Sequence, residues 1–156
     1  MKKTILFFAL LPVLKSFSQS NSIVSFKNPT SLSTPKGYSH AAVIDLGNCQ
    51  MVILSGQVPL DSKGNLVGKD DFAKQTGQVF VNIRNAVTEL GGTMNDIVKF
   101  GFFTTDVSQV QTIRDIRDKY INTKQPPAST LVQVSKLYRE DVFIEIEATV
   151  IIPKKQ

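Results

Sequence analysis

Apolar and polar positions follow two different periods along the chain. Residues 23–28, 39–46 and 50–57 are short apolar-rich runs. Asn28-Pro29 and Thr34-Pro35-Lys36-Gly37 separate the first two, and Gly47-Asn48 joins the second to the third as a tight turn. A loop with Pro59, Gly64 and Gly68 spans 58–68. Phe72, Val79, Phe80, Ile83, Ala86, Val87 and Leu90 then recur at helical spacing until Gly91-Gly92 ends the run. Gly77 inside this helix costs about 1 kcal/mol relative to Ala. Residues 97–105 read as a strand, and Asp106 and Ser108 as candidate caps of a second helix with Val110, Ile113, Ile116 and Tyr120 on one stripe. Gln125-Pro126-Pro127 closes that connection, and 128–134 and 142–152 are the last strands.

This order, βββαβαββ, predicts an α+β domain: a mixed sheet with two helices on one face. In the last strand Val142, Ile144, Ile146, Ala148 and Val150 alternate with Phe143, Glu145, Glu147, Thr149 and Ile151. The first set suits a helix layer. The second leaves a face that two helices cannot cover, expected to show Phe143, Ile151 and Leu131 beside Glu145, Glu147 and Ser129. Such a patch points to a subunit interface.

Charge changes the picture at the N-terminus. Residues 1–18 combine Lys2 and Lys3, an apolar run over 4–14, and Ser16 and Ser18 before a cut that would leave Gln19 first. The run is too short to span a bilayer, so the segment reads as a secretory signal, followed by one domain over 19–156. Without Lys2, Lys3 and Lys15, the 18 basic residues fall to 15 against 13 acidic, a net +2. No basic stripe with interleaved aromatics remains to favour nucleic acid. The expected location is periplasmic or secreted, off the membrane once the signal is cleaved.

Common chemical motifs are missing. Gly64-Asn65-Leu66-Val67-Gly68-Lys69 is one residue short of a phosphate loop and lacks the following Ser or Thr. One Cys and one His cannot build an ordinary zinc site, so no metal is expected. His40 reads as structural and Cys49 as an incidental thiol. Glu145 and Glu147 point the same way, about 6.8 Å apart along a strand, a spacing open to acid–base work.

Several separated segments carry a resemblance. Gly37-Tyr38-Ser39-His40-Ala41, Leu54-Ser55-Gly56-Gln57-Val58-Pro59, Gln75 with Asn82-Ile83, Gly91-Gly92 before Asp96-Ile97-Val98-Lys99, Pro127-Ala128, and Ile144-Glu145-Ile146-Glu147-Ala148 occur in the order and spacing of one family. Together they resemble the RidA/YjgF proteins over about residues 23–152. The resemblance implies a chorismate-mutase-like protomer, a homotrimer whose sheets close a central barrel, and a small-molecule cleft at each subunit interface. It implies hydrolysis of enamine and imine intermediates to 2-keto acids and ammonia, without metal or organic cofactor. RNA cleavage, also ascribed to the family, fits poorly with a +2 exported chain.

Carried over residue by residue, the resemblance makes Glu145 the group that orients or activates water. Tyr38, Ser55 and Gly56 would shape the cleft, and Asn82 is structural. The carboxylate-gripping arginine of the family does not carry over: Ser129 stands in its place, and Leu131 stands where many members have cysteine. A bidentate guanidinium pair contributes roughly 1.5–3 kcal/mol per charge-assisted bond, which a serine hydroxyl cannot match. Lys136, Arg139 and Lys99 are candidate replacements. The sequence therefore predicts an exported family member that binds a small neutral or cationic molecule without the usual deaminase activity. The alternative is a working 2-iminopropanoate-type deaminase using Glu145 and water.

Overall fold

The computed structural model describes residues 22–154. The segment read as a secretory signal, with its cut before Gln19, lies outside the described residues. The elements are β1 (Val24–Lys27), β2 (Ala41–Asp45), β3 (Cys49–Gln57), α1 (Phe72–Glu89), β4 (Ile97–Thr104), α2 (Val110–Arg117), β5 (Ala128–Gln133) and β6 (Ile144–Pro153). They form one six-stranded sheet in the order β1-β2-β3-β6-β4-β5. Only β4 and β5 run parallel, which α2 permits as the crossover between them. The predicted element order and the mixed α+β architecture both hold.

The core forms where α1 lies across β6 and β3. Val79, Phe80, Ile83, Ala86 and Val87 on α1 meet Ile144, Ile146, Ala148 and Val150 on β6, all buried. Phe80 is the hub: its ring centroid lies 5.8 Å from Phe100, 6.4 Å from Phe102 and 5.1 Å from Tyr120. The Asp71 carboxylate caps α1 by accepting from the Lys74 amide at 2.9 Å. Gly91, at φ +91°, turns the chain out of the helix in a conformation that a side chain disfavours.

Three predicted details shift. Asp106 caps a short 3-10 turn over 107–109, by accepting from the Ser108 amide at 2.9 Å, and α2 starts after it. Helix α2 stops at Arg117, so Tyr120 reaches the core from the following turn and not from the helix. Phe143 is not a strand residue: its amide donates to Gln75 Oε1 at 2.8 Å, and its ring stacks on Phe72 at 6.5 Å.

The most consequential correction concerns the uncovered face. Ser129 and Leu131 do not share it with Glu145 and Glu147. Ser129 pairs with Phe100 and Leu131 with Phe102, whose partners across β4 are Ala148 and Ile146 of the covered face. Paired residues point to the same side of a sheet, so Ser129 and Leu131 sit on the helix side, and Leu131 packs against the core. The sequence shows alternation within a strand but not the register between strands. The uncovered face instead carries Phe26, Ile53, Ile151, Phe103 and Val132 around the two glutamates. Phe26 is 69% exposed, Ile53 45% and Val132 41%. An apolar surface of this kind within one protomer is what the sequence pattern predicted, with different members.

Candidate functional site

A cavity of about 1000 Å³ opens at the end of the sheet where β3 meets β6. Its wall includes Tyr38, Ser55, Gly56, Tyr138, Arg139 and Glu145. Four of the six residues picked from sequence thus come together: Glu145, Tyr38, Ser55 and Gly56. Ser129 and Leu131 do not line it; they lie two strands from β6, on the other face.

The bend that makes room starts in β3. Leu54 pairs with Ala148 and Gln57 with Ile146, so two residues on β3, Ser55 and Gly56, oppose one on β6, Glu147. This bulge displaces Ser55 and Gly56 from the ladder, as bulges beside functional sites commonly do. The Glu145 side chain then lies across Gly56. A Cβ at Gly56 would fall 2.7 Å from Cδ and 2.8 Å from Cγ of Glu145, distances that no real contact allows. Glycine here is a requirement of close approach. Gly101 on β4 does the same for Glu147, where a Cβ would fall 2.8 Å from Cγ.

Both glutamates therefore stand on one face, as the sequence predicts, and they feel each other. The Glu145 carboxyl titrates above the usual carboxylate range, chiefly because burial disfavours its charge and secondarily because Glu147 is near. The Tyr38 phenol is also pushed up, by burial first and then by Tyr138 and Glu145. A carboxyl raised toward neutrality can take and return a proton under mild conditions.

Other groups are already committed. The Ser55 hydroxyl donates to the Ser39 carbonyl at 2.7 Å and its amide to the His40 carbonyl at 2.9 Å. Ser55 thus shapes the wall without a free donor. His40 is buried; its Nε2 sits 2.7 Å from the Ser33 carbonyl oxygen, to which it donates, and Tyr38 packs edge-on against its ring at 5.2 Å. That is the structural role the sequence suggests. Asn82 likewise holds the loop after β3, donating to the Val58 and Leu60 carbonyls at 3.0 and 2.8 Å. The segment that resembles a phosphate loop is a turn: Leu60 pairs with Leu66, and the Asp61 carboxylate accepts from the Lys63 and Asn65 amides at 2.9 Å. Its effect is to bring Lys63 to the cavity wall.

Tyr138, Lys36 and Lys63 are cavity residues that the sequence did not single out, because loop side chains carry no periodic signal. Of the candidate replacement cations, only Arg139 lines the cavity; Lys99 is paired on β4 opposite Thr149. Arg139 grips Asp141 with Nε at 2.8 Å and Nη2 at 2.6 Å. Among the described residues, no three His, Cys, Asp or Glu side chains gather as metal ligands.

Known proteins resemble the chain in sequence and in fold. The family profile described as Endoribonuclease L-PSP matches residues 29–152. A RutC family protein of Pyrococcus abyssi is 33% identical over 111 residues, covering 71% of this chain and 83% of the relative. The 2-iminobutanoate/2-iminopropanoate deaminase of Salmonella typhimurium is 36% identical over 107 residues, 67% of this chain and 80% of that enzyme. Among solved structures, a protein of the conserved Rid family from Yersinia pestis, of unknown function, superposes with a TM-score of 0.72 at 30% identity, over 81% of this chain and 98% of that one. With its profile match running from before β2 to the end of β6, the chain belongs to the Endoribonuclease L-PSP family, the RidA/YjgF/RutC proteins.

Proposed function

We propose that the cavity around Glu145 is the small-molecule site of an exported, homotrimeric Rid protein, and that it lacks the deaminase activity for which the Salmonella relative is named. The observation that carries the reading is the fit of Glu145 over Gly56, which sets a partly buried carboxyl into the wall of a cavity large enough for an organic molecule. The apolar surface around Phe26, Ile53 and Val132 supports assembly through the uncovered face. β5 is an edge strand, so a neighbouring protomer could bring its Ser129 to the mouth of this cavity. A serine there offers one neutral hydrogen bond to a substrate carboxylate.

Ammonia release from 2-iminopropanoate tests the reading. Wild type should stay near the uncatalysed rate. Ser129→Arg should gain turnover on the order of a hundredfold if a bidentate clamp retained in the transition state contributes roughly 3 kcal/mol. Robust wild-type turnover overturns the inactive-site reading. One observation favours a second reading, a working deaminase or hydrolase. The Glu145 carboxyl is held above its usual range by burial, a state suited to taking a proton from water as it adds to an imine carbon. In that case Glu145→Gln abolishes turnover while assembly survives. Export is tested by sequencing the N-terminus of the native protein: a start near Gln19 supports it, and an intact Met1 on a soluble cytosolic species contradicts it.

A further inference from the structure

We propose that Gln75, on the covered side of the sheet, is a positioning residue of the cavity: its buried amide fixes the chain segment that brings Glu145 and Arg139 to the cavity wall. The inference rests on the reading of that cavity as a small-molecule site and adds the device that holds its wall in place. Gln75 is fully buried near the start of α1. A buried amide is costly unless its donor and its acceptor are both used. Gln75 uses both on one stretch of backbone. Its Nε2 donates to the Asp141 carbonyl at 2.7 Å, and its Oε1 accepts from the Phe143 amide at 2.8 Å. β6 begins only at Ile144, so these two groups lie outside its ladder.

The clamp acts in two directions along the chain. Toward β6, the Phe143 carbonyl is taken from the opposite side by the Thr105 amide at 3.0 Å, and the Phe143 ring stacks on Phe72, three residues before Gln75. With both backbone groups of Phe143 held, the start of β6 is fixed, and Glu145 two residues on is set over Gly56. A slip of one residue would turn Glu145 to the covered face. Away from β6, the Asp141 carboxylate accepts from Nε and Nη2 of Arg139. That pair is neutral as a unit, so it shapes the wall and adds no net charge to it. The residue type follows from the task. A neutral amide offers a donor and an acceptor together, an ionised carboxylate offers no donor, and a thioether is only a weak acceptor. Gln75→Met therefore removes both bonds at similar volume and strands the Asp141 carbonyl and the Phe143 amide, which then draw water toward the segment.

The test follows the Glu145 carboxyl carbon by NMR as pH is varied, in the ligand-free protein and its variants. Burial is the chief cause of its raised titration and Glu147 the second. Gln75→Met should bring the midpoint down toward the ordinary carboxylate range, as the segment loosens and admits water. Ile113→Ala opens a hole in the core at α2; it should lower the melting temperature and leave that midpoint in place. Gln75→Glu can accept from Phe143 in either protonation state but donates to Asp141 only when protonated. Its Glu145 amide resonance should match that of wild type at low pH and depart from it, at equal pH, as pH rises. An unmoved midpoint in Gln75→Met overturns the proposal, as does an equal fall in Ile113→Ala, which would make the effect a general loosening. If Gln75→Met fails to fold, Gln75→Glu decides: a wild-type resonance at every pH overturns the proposal. Every reading is taken without ligand, so the clamp stands or falls separately from the reading of the cavity as a small-molecule site.

Discussion

On one face of β6, Ile144, Ile146 and Val150 are fully buried beneath α1; on the other, one residue along, Glu145 and Glu147 stand on a surface that no helix covers. The strand is the same and only the parity differs. The covered face is closed by apolar side chains and a ring cluster on Phe80, so a change there is a packing change. The uncovered face carries features with no packing advantage: two like charges beside each other, glycines opposite each carboxylate, and a bulge that interrupts the ladder. Features that lower stability without a packing gain are what functional sites impose on a fold.

The comparison breaks most visibly at Phe80. Phe80→Ala should lose about 3–5 kcal/mol by chemical denaturation, since it opens a cavity at the hub of the covered face. A loss under 1 kcal/mol would mean that the covered face is not the core of stability. On the uncovered face, Ile53→Asp tests the proposed trimer: it should leave the protomer folded but reduce the sedimenting mass from three protomers to one. A variant that remains a trimer would move the interface elsewhere. Between these lies Gly56→Ala, whose new methyl displaces the Glu145 side chain. We expect a loss of about 1–3 kcal/mol together with loss of ligand binding, and recovery of most of the stability in the Gly56→Ala, Glu145→Ala double variant. Additive losses in the double variant would show that the two residues do not compete for the same space.

The smallest expected effect has the opposite sign. Glu145 titrates above its unfolded value, so its contribution to stability is fully present below the unfolded value and is lost as pH rises through the folded one. Glu145→Gln should therefore be slightly more stable than wild type at pH 8 and should lose that advantage by pH 4. Thermal melts across this range check it. A variant less stable than wild type at pH 8 would mean that the carboxylate has a favourable partner.

The sequence carried the covered face well because burial imposes a period. The spacing of Val79, Phe80, Ile83, Ala86 and Val87, and the alternation of Ile144 to Val150, were sufficient for α1, β6 and their contact. Order and spacing of short segments carried Tyr38, Ser55, Gly56 and Glu145 into one cavity. Two things were not legible. The face on which Ser129 and Leu131 lie depends on the register of β5 against β4, which no single strand encodes. The approach of Arg139 depends on a loop tied down by Gln75 from 66 residues away in sequence. Arg139 could be named as a candidate cation, but its place required the tertiary structure.

The central claim is that Glu145 is a carboxyl held partly buried in the wall of the cavity on the uncovered face. The most direct measurement is the titration of the Glu145 carboxyl carbon by NMR. The account predicts a midpoint above the ordinary carboxylate range, as burial dictates. An ordinary midpoint would contradict it.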